Sequence, residues 1–183
     1  MRLFVAVDLS KDVREKMENV LKIFKDFEGV KAVEKENLHI TLMFLGEVPD
    51  RRVEVVKEKL RNVRAEPFKI RLKGIGYFPS QSSVRVVWVG VEEGGENLRE
   101  LSDMVASSLK SLGFKRDKEF VAHATVARVK RMSLADKERL VRVIEGYKDF
   151  DFGEMVVDCF KLKKSTLTPK GPIYEDVEVY RLG

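Results

Sequence analysis

A chain of mixed α and β structure, built from a β-α-β-α-β unit used twice, is what the 183-residue sequence predicts. Three observations carry that reading. Short apolar runs of strand type alternate with segments whose apolar residues recur at helical spacing. Corresponding elements of the two halves are offset by almost constant distances, about 85 residues for the first helices, about 82 for the second and about 84 for the third strands. The two histidines of the chain, His39 and His123, share that offset, since 123 − 39 = 84.

The elements follow in order. Leu3 to Leu9 reads as a strand rich in Val, Leu and Phe. Ser10 stands where a helix N-cap belongs, and Val13, Met17, Val20, Leu21, Phe24 and Phe27 continue as one helical stripe. Leu38 to Leu45 is the second strand. Pro49 and Asp50 open a helix whose stripe is Val53, Val56, Leu60 and Val63. Phe68 to Tyr77 alternates apolar with basic residues, as a half-exposed strand does. The series then restarts: strand Val84 to Val91, helix Leu98 to Leu112, strand Phe120 to Val129, and a helix opened by Ser133 with Leu140, Val141 and Ile144 inside. Phe152 to Leu162 forms a further strand, and Ile173 to Leu182 an additional one. The internal repeat therefore covers roughly 1–80 and 84–183 of a single 183-residue domain.

Composition excludes several functions. With two His and one Cys, a Cys/His zinc finger is impossible and an all-histidine metal site lacks ligands. The longest early apolar run, Leu3 to Val7, is far below the ~20 residues of a membrane span, and no signal-peptide cleavage site follows it. A single Cys159 precludes an internal disulfide, so a cytoplasmic location is expected. The balance of 35 Lys+Arg against 30 Asp+Glu, net +5, favours anionic partners without suggesting a protein that coats nucleic acid. One Gln, four Asn and one Cys among so many Lys, Arg and Glu resemble a heat-adapted composition.

The histidines carry the chemistry. His39-Ile40-Thr41-Leu42 and His123-Ala124-Thr125-Val126 each place Thr two residues after His, in a chain with only four Thr. Chance would produce both matches on the order of once in two thousand. On a strand, residues i and i+2 share a face, so each His projects beside its Thr while the intervening apolar residues turn to the core. If the halves face each other about a pseudo-twofold axis, two imidazoles and two hydroxyls converge. One neutral imidazole then removes a proton and one imidazolium donates one, on opposite sides of a phosphorus and without a metal. Arg128 is the candidate cation for the phosphoryl oxygens, provided the strand bends or bulges between it and His123, because i+5 otherwise faces away. Its counterpart in the first half is Phe44, which makes the cleft asymmetric.

These paired motifs resemble those of the 2H phosphoesterase superfamily, and within it the bacterial and archaeal RNA 2′,3′-cyclic phosphodiesterases, also called 2′-5′ RNA ligases. The likeness runs nearly end to end, through the opening residues 1–7, Asn37 to Gly46, Gly76 to Pro79, Arg85 to Val91, His123 to Val129 and Pro169 to Tyr174. It implies a bilobal α+β fold with two pseudo-symmetric lobes, each with an antiparallel sheet and helices, lining a central groove. It implies hydrolysis of an RNA terminal 2′,3′-cyclic phosphate to a 2′-phosphate without cofactor or metal. His39 would then be the proton donor, His123 the proton acceptor, and Thr41, Thr125 and Arg128 the phosphate-binding residues. RNA with cyclic phosphate ends, tRNA fragments among it, would be the partner of a monomeric, cytoplasmic enzyme. The alternatives are ligation of RNA ends through a 2′-5′ bond by the same residues, and a non-catalytic protein that binds RNA ends.

Further candidates lie outside the motifs. Tyr77 and Phe78 are placed to stack a base or to plug the core. Lys164 and Ser165, before the Pro-Gly turn, are expected groove contacts. Basic residues also cluster at 115–118, at 130–131 and at 161–164.

Overall fold

Serine hydroxyls start two of the four helices, as their positions in the sequence require. The computed structural model describes residues 1–183. Ser10 Oγ accepts the Val13 amide at 3.3 Å and Ser133 Oγ accepts the Asp136 amide at 3.1 Å, each satisfying a donor that the first helical turn leaves free. The elements run β1 (Arg2–Asp8), α1 (Lys11–Lys25), β2 (Val30–Ala32), β3 (His39–Glu47), α2 (Asp50–Leu60), β4 (Phe68–Ser80), β5 (Ser83–Val91), α3 (Gly95–Leu109), β6 (His123–Val129), α4 (Leu134–Gly146), β7 (Asp151–Val157), β8 (Cys159–Thr168) and β9 (Gly171–Arg181). The fold is α+β, with four helices on two antiparallel sheets of order β3-β1-β8-β9 and β2-β6-β5-β4-β7.

Neither sheet is made from one half of the sequence. β4 leaves the first half to pair with β5 and β7, and β8 with β9 returns from the second half to extend β1. The helices exchange too: α1 packs on β7 and β2, whereas α3 packs on β3 and against α2. One continuous core of 43 buried residues follows from this interleaving, in place of two separate interiors. The expected single strand over Phe152 to Leu162 is two strands. The chain passes from one sheet to the other at Asp158, whose carbonyl accepts the Leu182 amide at 2.8 Å. The three-residue β2, too short to leave a periodic signal, was not anticipated.

Two bulges place the site. Along β1 and β3, Val5 pairs with Met43 and Ala6 with Thr41, leaving Leu42 as the extra residue. Along β5 and β6, Val87 pairs with Ala127 and Trp88 with Thr125, leaving Val126 extra. Both strands consequently bury two successive side chains, Leu42-Met43 and Val126-Ala127, and the alternation reverses beyond them. The carbonyls of the extra residues are not orphaned. Ser102 of α3, fully buried, donates its hydroxyl to Leu42 O at 2.7 Å and itself accepts Arg116 Nη1 at 2.9 Å. The Val33 amide donates to Val126 O at 2.8 Å.

Replacing Ser102 with Ala removes a buried donor from the Leu42 carbonyl and an acceptor from Arg116. The expected cost is about 1–3 kcal/mol, read as a lowered urea midpoint at unchanged slope. A midpoint equal to that of the parent protein would show that the bulge does not depend on this contact.

Candidate active site

The faces of the two sheets not covered by helices meet where β3 approaches β6. His39 and Thr41 lie on that face of β3, and His123 and Thr125 on that face of β6; all four are half-buried. Each imidazole is held in the same way. His39 Nδ1 lies 2.7 Å from Asn37 O and His123 Nδ1 2.6 Å from Val121 O, in both cases the carbonyl two residues earlier. A carbonyl only accepts, so Nδ1 carries the hydrogen and the neutral ring presents Nε2 as its basic atom. His39 Nε2 meets Thr41 Oγ1 at 3.0 Å.

The bulge at Val126 resolves the parity problem posed by Arg128. With one residue inserted, Arg128 comes to the His123 and Thr125 side of β6, where its charge bears on both imidazoles and on Tyr174. The matching bulge at Leu42 brings Phe44 to the corresponding place on β3. There it is exposed and packs on Phe4, with ring centroids 5.9 Å apart.

The surroundings of the two histidines differ. His39 lies between Phe4, at 5.2 Å, and the edge-on Tyr174, at 5.4 Å. Asp8 is its cross-strand partner on β1. Asp8 and Asp176 both bind Lys161 and Lys163, with N···O distances of 2.8–3.0 Å, forming a neutral quartet of two cations and two carboxylates. The hydrogen bonds that the Lys161 ammonium donates to Asp8 and Asp176 hold it well above its ordinary pKa. Burial alone would raise the Asp176 carboxyl, but the two lysines bring it below its usual value. On the other side, the equivalent positions carry no charge: Gly90 faces His123, and Gly76 faces Trp88. The Trp88 indole fills the space these glycines leave, so that a Cβ on Gly76 would sit 2.3 Å from Cη2. Phe78 packs on Trp88 at 5.2 Å and edge-on to His123 at 5.5 Å.

Burial pushes both imidazoles below the ordinary histidine pKa of 6.5. For His39 the Asn37 carbonyl and Asp8 oppose this, while Lys163 and Arg128 reinforce it. For His123 the Val121 carbonyl opposes and Arg128 reinforces. Asp8 is thus the one carboxylate that acts on either ring.

The structure brings His39, Thr41, His123, Thr125, Arg128, Phe78 and Ser165 to the groove side. Tyr77 and Lys164 are not among them. Tyr77 sits on the opposite face from Phe78, packed against the core; β4 takes its own extra residue at Gly74, which sets this parity. Lys164 shares the face of Leu162, between Leu3 and Glu175, while Ser165 pairs with Arg2 and Tyr174. Nor are the basic clusters uniformly free, because Lys161 and Lys163 are bound to carboxylates and Arg116 to Asp103 at 2.7 Å. Phe4, Asp8, Trp88, Lys163 and Tyr174 were missed as site residues. Of these Phe4 and Asp8 had a local signal, since Phe4, Ala6 and Asp8 share one strand face. Cys159 is half-buried at the start of β8, and burial raises its thiol pKa. No three His, Cys, Asp or Glu side chains are grouped to hold a metal ion, and no helix is long and apolar enough to cross a membrane.

Comparison with known proteins places this geometry in context. The model of the LigT-like phosphoesterase family matches the chain twice in tandem, over residues 7–88 and 89–174. An RNA 2′,3′-cyclic phosphodiesterase of Archaeoglobus fulgidus is 51% identical over 180 residues, covering 98% of this chain and 99% of that one. One from Methanocaldococcus jannaschii is 45% identical over 179 residues, covering 97% and 99%. The crystal structure of a Thermus thermophilus protein superposes with a TM-score of 0.82 at 32% identity, covering 99% of this chain and 97% of that one.

Trp88 is the only tryptophan, which makes its packing directly observable. Gly76→Ala forces the indole to move and is expected to cost about 1–3 kcal/mol with a shifted tryptophan emission. Unchanged emission together with unchanged stability would contradict the packing described.

Proposed function

Because this chain belongs to the LigT-like phosphoesterase family, we propose that it hydrolyses the terminal 2′,3′-cyclic phosphate of RNA to a 2′-phosphate, with two imidazoles as acid and base and no metal ion. The observation that carries the reading is the pair of matched histidines, each with Nδ1 tied to a carbonyl and one arginine acting on both.

His123 is the base. Its neutral Nε2 takes a proton from water as the water oxygen attacks phosphorus. The bond between phosphorus and the 3′-oxygen breaks on the far side, and His39 Nε2–H supplies the proton that completes the 3′-hydroxyl. The phosphate remains on the 2′-oxygen. Thr41 and Thr125 donate hydroxyl hydrogens to the non-bridging oxygens, and Arg128 carries the charge that accumulates there. At His39 the Asp8 carboxylate favours the imidazolium, against burial and the larger opposing effect of Lys163. The aromatic faces of Phe78 and Phe44 flank the reacting centre and suit the terminal base and ribose.

The test is incubation of the purified protein, in EDTA, with an oligoribonucleotide ending in a 2′,3′-cyclic phosphate. A 2′-phosphate product supports the reading. A 3′-phosphate would reverse the leaving group, and turnover only on metal addition would remove the two-histidine mechanism. His39→Ala and His123→Ala should each reduce kcat by a factor on the order of 10²–10⁴ without loss of fold.

The pH dependence follows from the direction of the shifts. Lowered pKa values in the free protein put both limbs of the kcat/KM profile below pH 6.5. A bound phosphate anion favours the imidazolium and raises both, so the kcat profile should lie at higher pH than the kcat/KM profile. Coincident profiles, or one flat through pH 5–8, would contradict this.

A further inference from the structure

Resting on the reading above, we propose that Lys31 and Arg128, joined by Arg2, form a second anion subsite at one end of the groove, which takes the phosphodiester one nucleotide in from the reacting end of the RNA.

The register of β2 and β6 sets Lys31 directly opposite Arg128, over the buried pair Ala32 and Ala127. Cross-strand partners have Cβ atoms roughly 5 Å apart, and like charges so placed are destabilising. Neither cation has a carboxylate within 4.0 Å to offset this. The contrast with the same groove near His39 is sharp, because Lys161 and Lys163 there each bind two carboxylates. The protein neutralises one pair of groove lysines completely and leaves the Lys31–Arg128 pair for an outside anion.

The pair is also held in place from across the groove. Lys31 Nζ donates to Lys170 O at 3.3 Å, so the β8–β9 turn of one sheet rests on the edge strand of the other. Arg2, opposite Ser165 on the β1–β8 ladder, approaches from the first sheet. Arg2 and Arg128, on different sheets, both bear on Tyr174, as does the carboxylate-bound Lys163. From Thr125 to Arg128 is three residues of strand, at most roughly 10 Å, the order of one nucleotide step. Arg128 reaches back to the reacting phosphate held by the threonines, and a phosphate on the Lys31 side of it is the next one along the chain.

The experiment compares a nucleoside 2′,3′-cyclic monophosphate with a dinucleotide that ends in the same cyclic phosphate. The parent protein, Lys31→Ala and Lys31→Arg are each assayed across a salt series. Equilibrium binding of the corresponding 2′-phosphate products is measured alongside. The parent should favour the dinucleotide. Lys31→Ala should lose about tenfold in kcat/KM for the dinucleotide, through KM, as expected for one charge-assisted contact. It should stay within about twofold on the mononucleotide, because Lys31 does not touch the reacting phosphate. The salt slope for the dinucleotide should fall by about 0.7, the single-strand value for one phosphate, and Lys31→Arg should restore both. Equal losses on both substrates, or none on either, would overturn the subsite. If the parent turns over neither substrate, the hydrolase reading fails. The subsite then stands or falls on whether Lys31→Ala weakens binding of the dinucleotide product alone.

Discussion

An extra residue in each of two strands is the constraint on which the groove depends. A regular strand carrying His-x-Thr would turn the fifth residue after the histidine into the core. Leu42 and Val126 absorb one residue each, so Phe44 and Arg128 emerge on the side of the imidazoles. Because a bulge frees backbone groups, it has to be supported from outside its ladder. Here the support differs between the halves: a buried serine hydroxyl for Leu42, and for Val126 the amide of Val33, just past the three-residue strand β2. The pseudo-symmetric geometry therefore rests on unsymmetric props.

Chemical asymmetry is layered on the same frame. At equivalent ladder positions the first sheet carries Asp8 and Lys161, and the second carries Gly90 and Gly76. A compensated ionic quartet needs room for four side chains. Two glycines instead admit the broad Trp88 indole, against which Phe78 packs. Each imidazole thus keeps the same backbone anchor but has different neighbours.

Much of this was legible in the sequence, and the remainder was illegible for physical reasons. The His-x-Thr pairs, the serine caps and the helical stripes are local patterns with periods of 2 and 3.6, so they survive reading one segment at a time. The bulges leave a fainter trace, two adjacent apolar residues where alternation calls for one. Tyr77 and Phe78 show the cost of overlooking such a shift, since the displacement at Gly74 decides which of them faces the groove. The pairing of Lys161 and Lys163 with Asp8 and Asp176 has no local trace, because Asp8 lies more than a hundred positions from both lysines. The exchange of β4 and of β8–β9 between sheets is equally silent, as any strand of suitable pattern can extend any open edge.

The interleaved topology has a bearing on synthesis. β1 and β3 are made first, yet the neighbour of β1 on its other side is β8, which follows more than 150 residues later. During translation that edge of β1 stays unpaired on the emerging chain until almost the whole polypeptide has left the ribosome. An open apolar strand edge invites association with other nascent chains. The fully buried side chains of Leu3 and Val5 are therefore also the ones a chaperone would have to shelter longest.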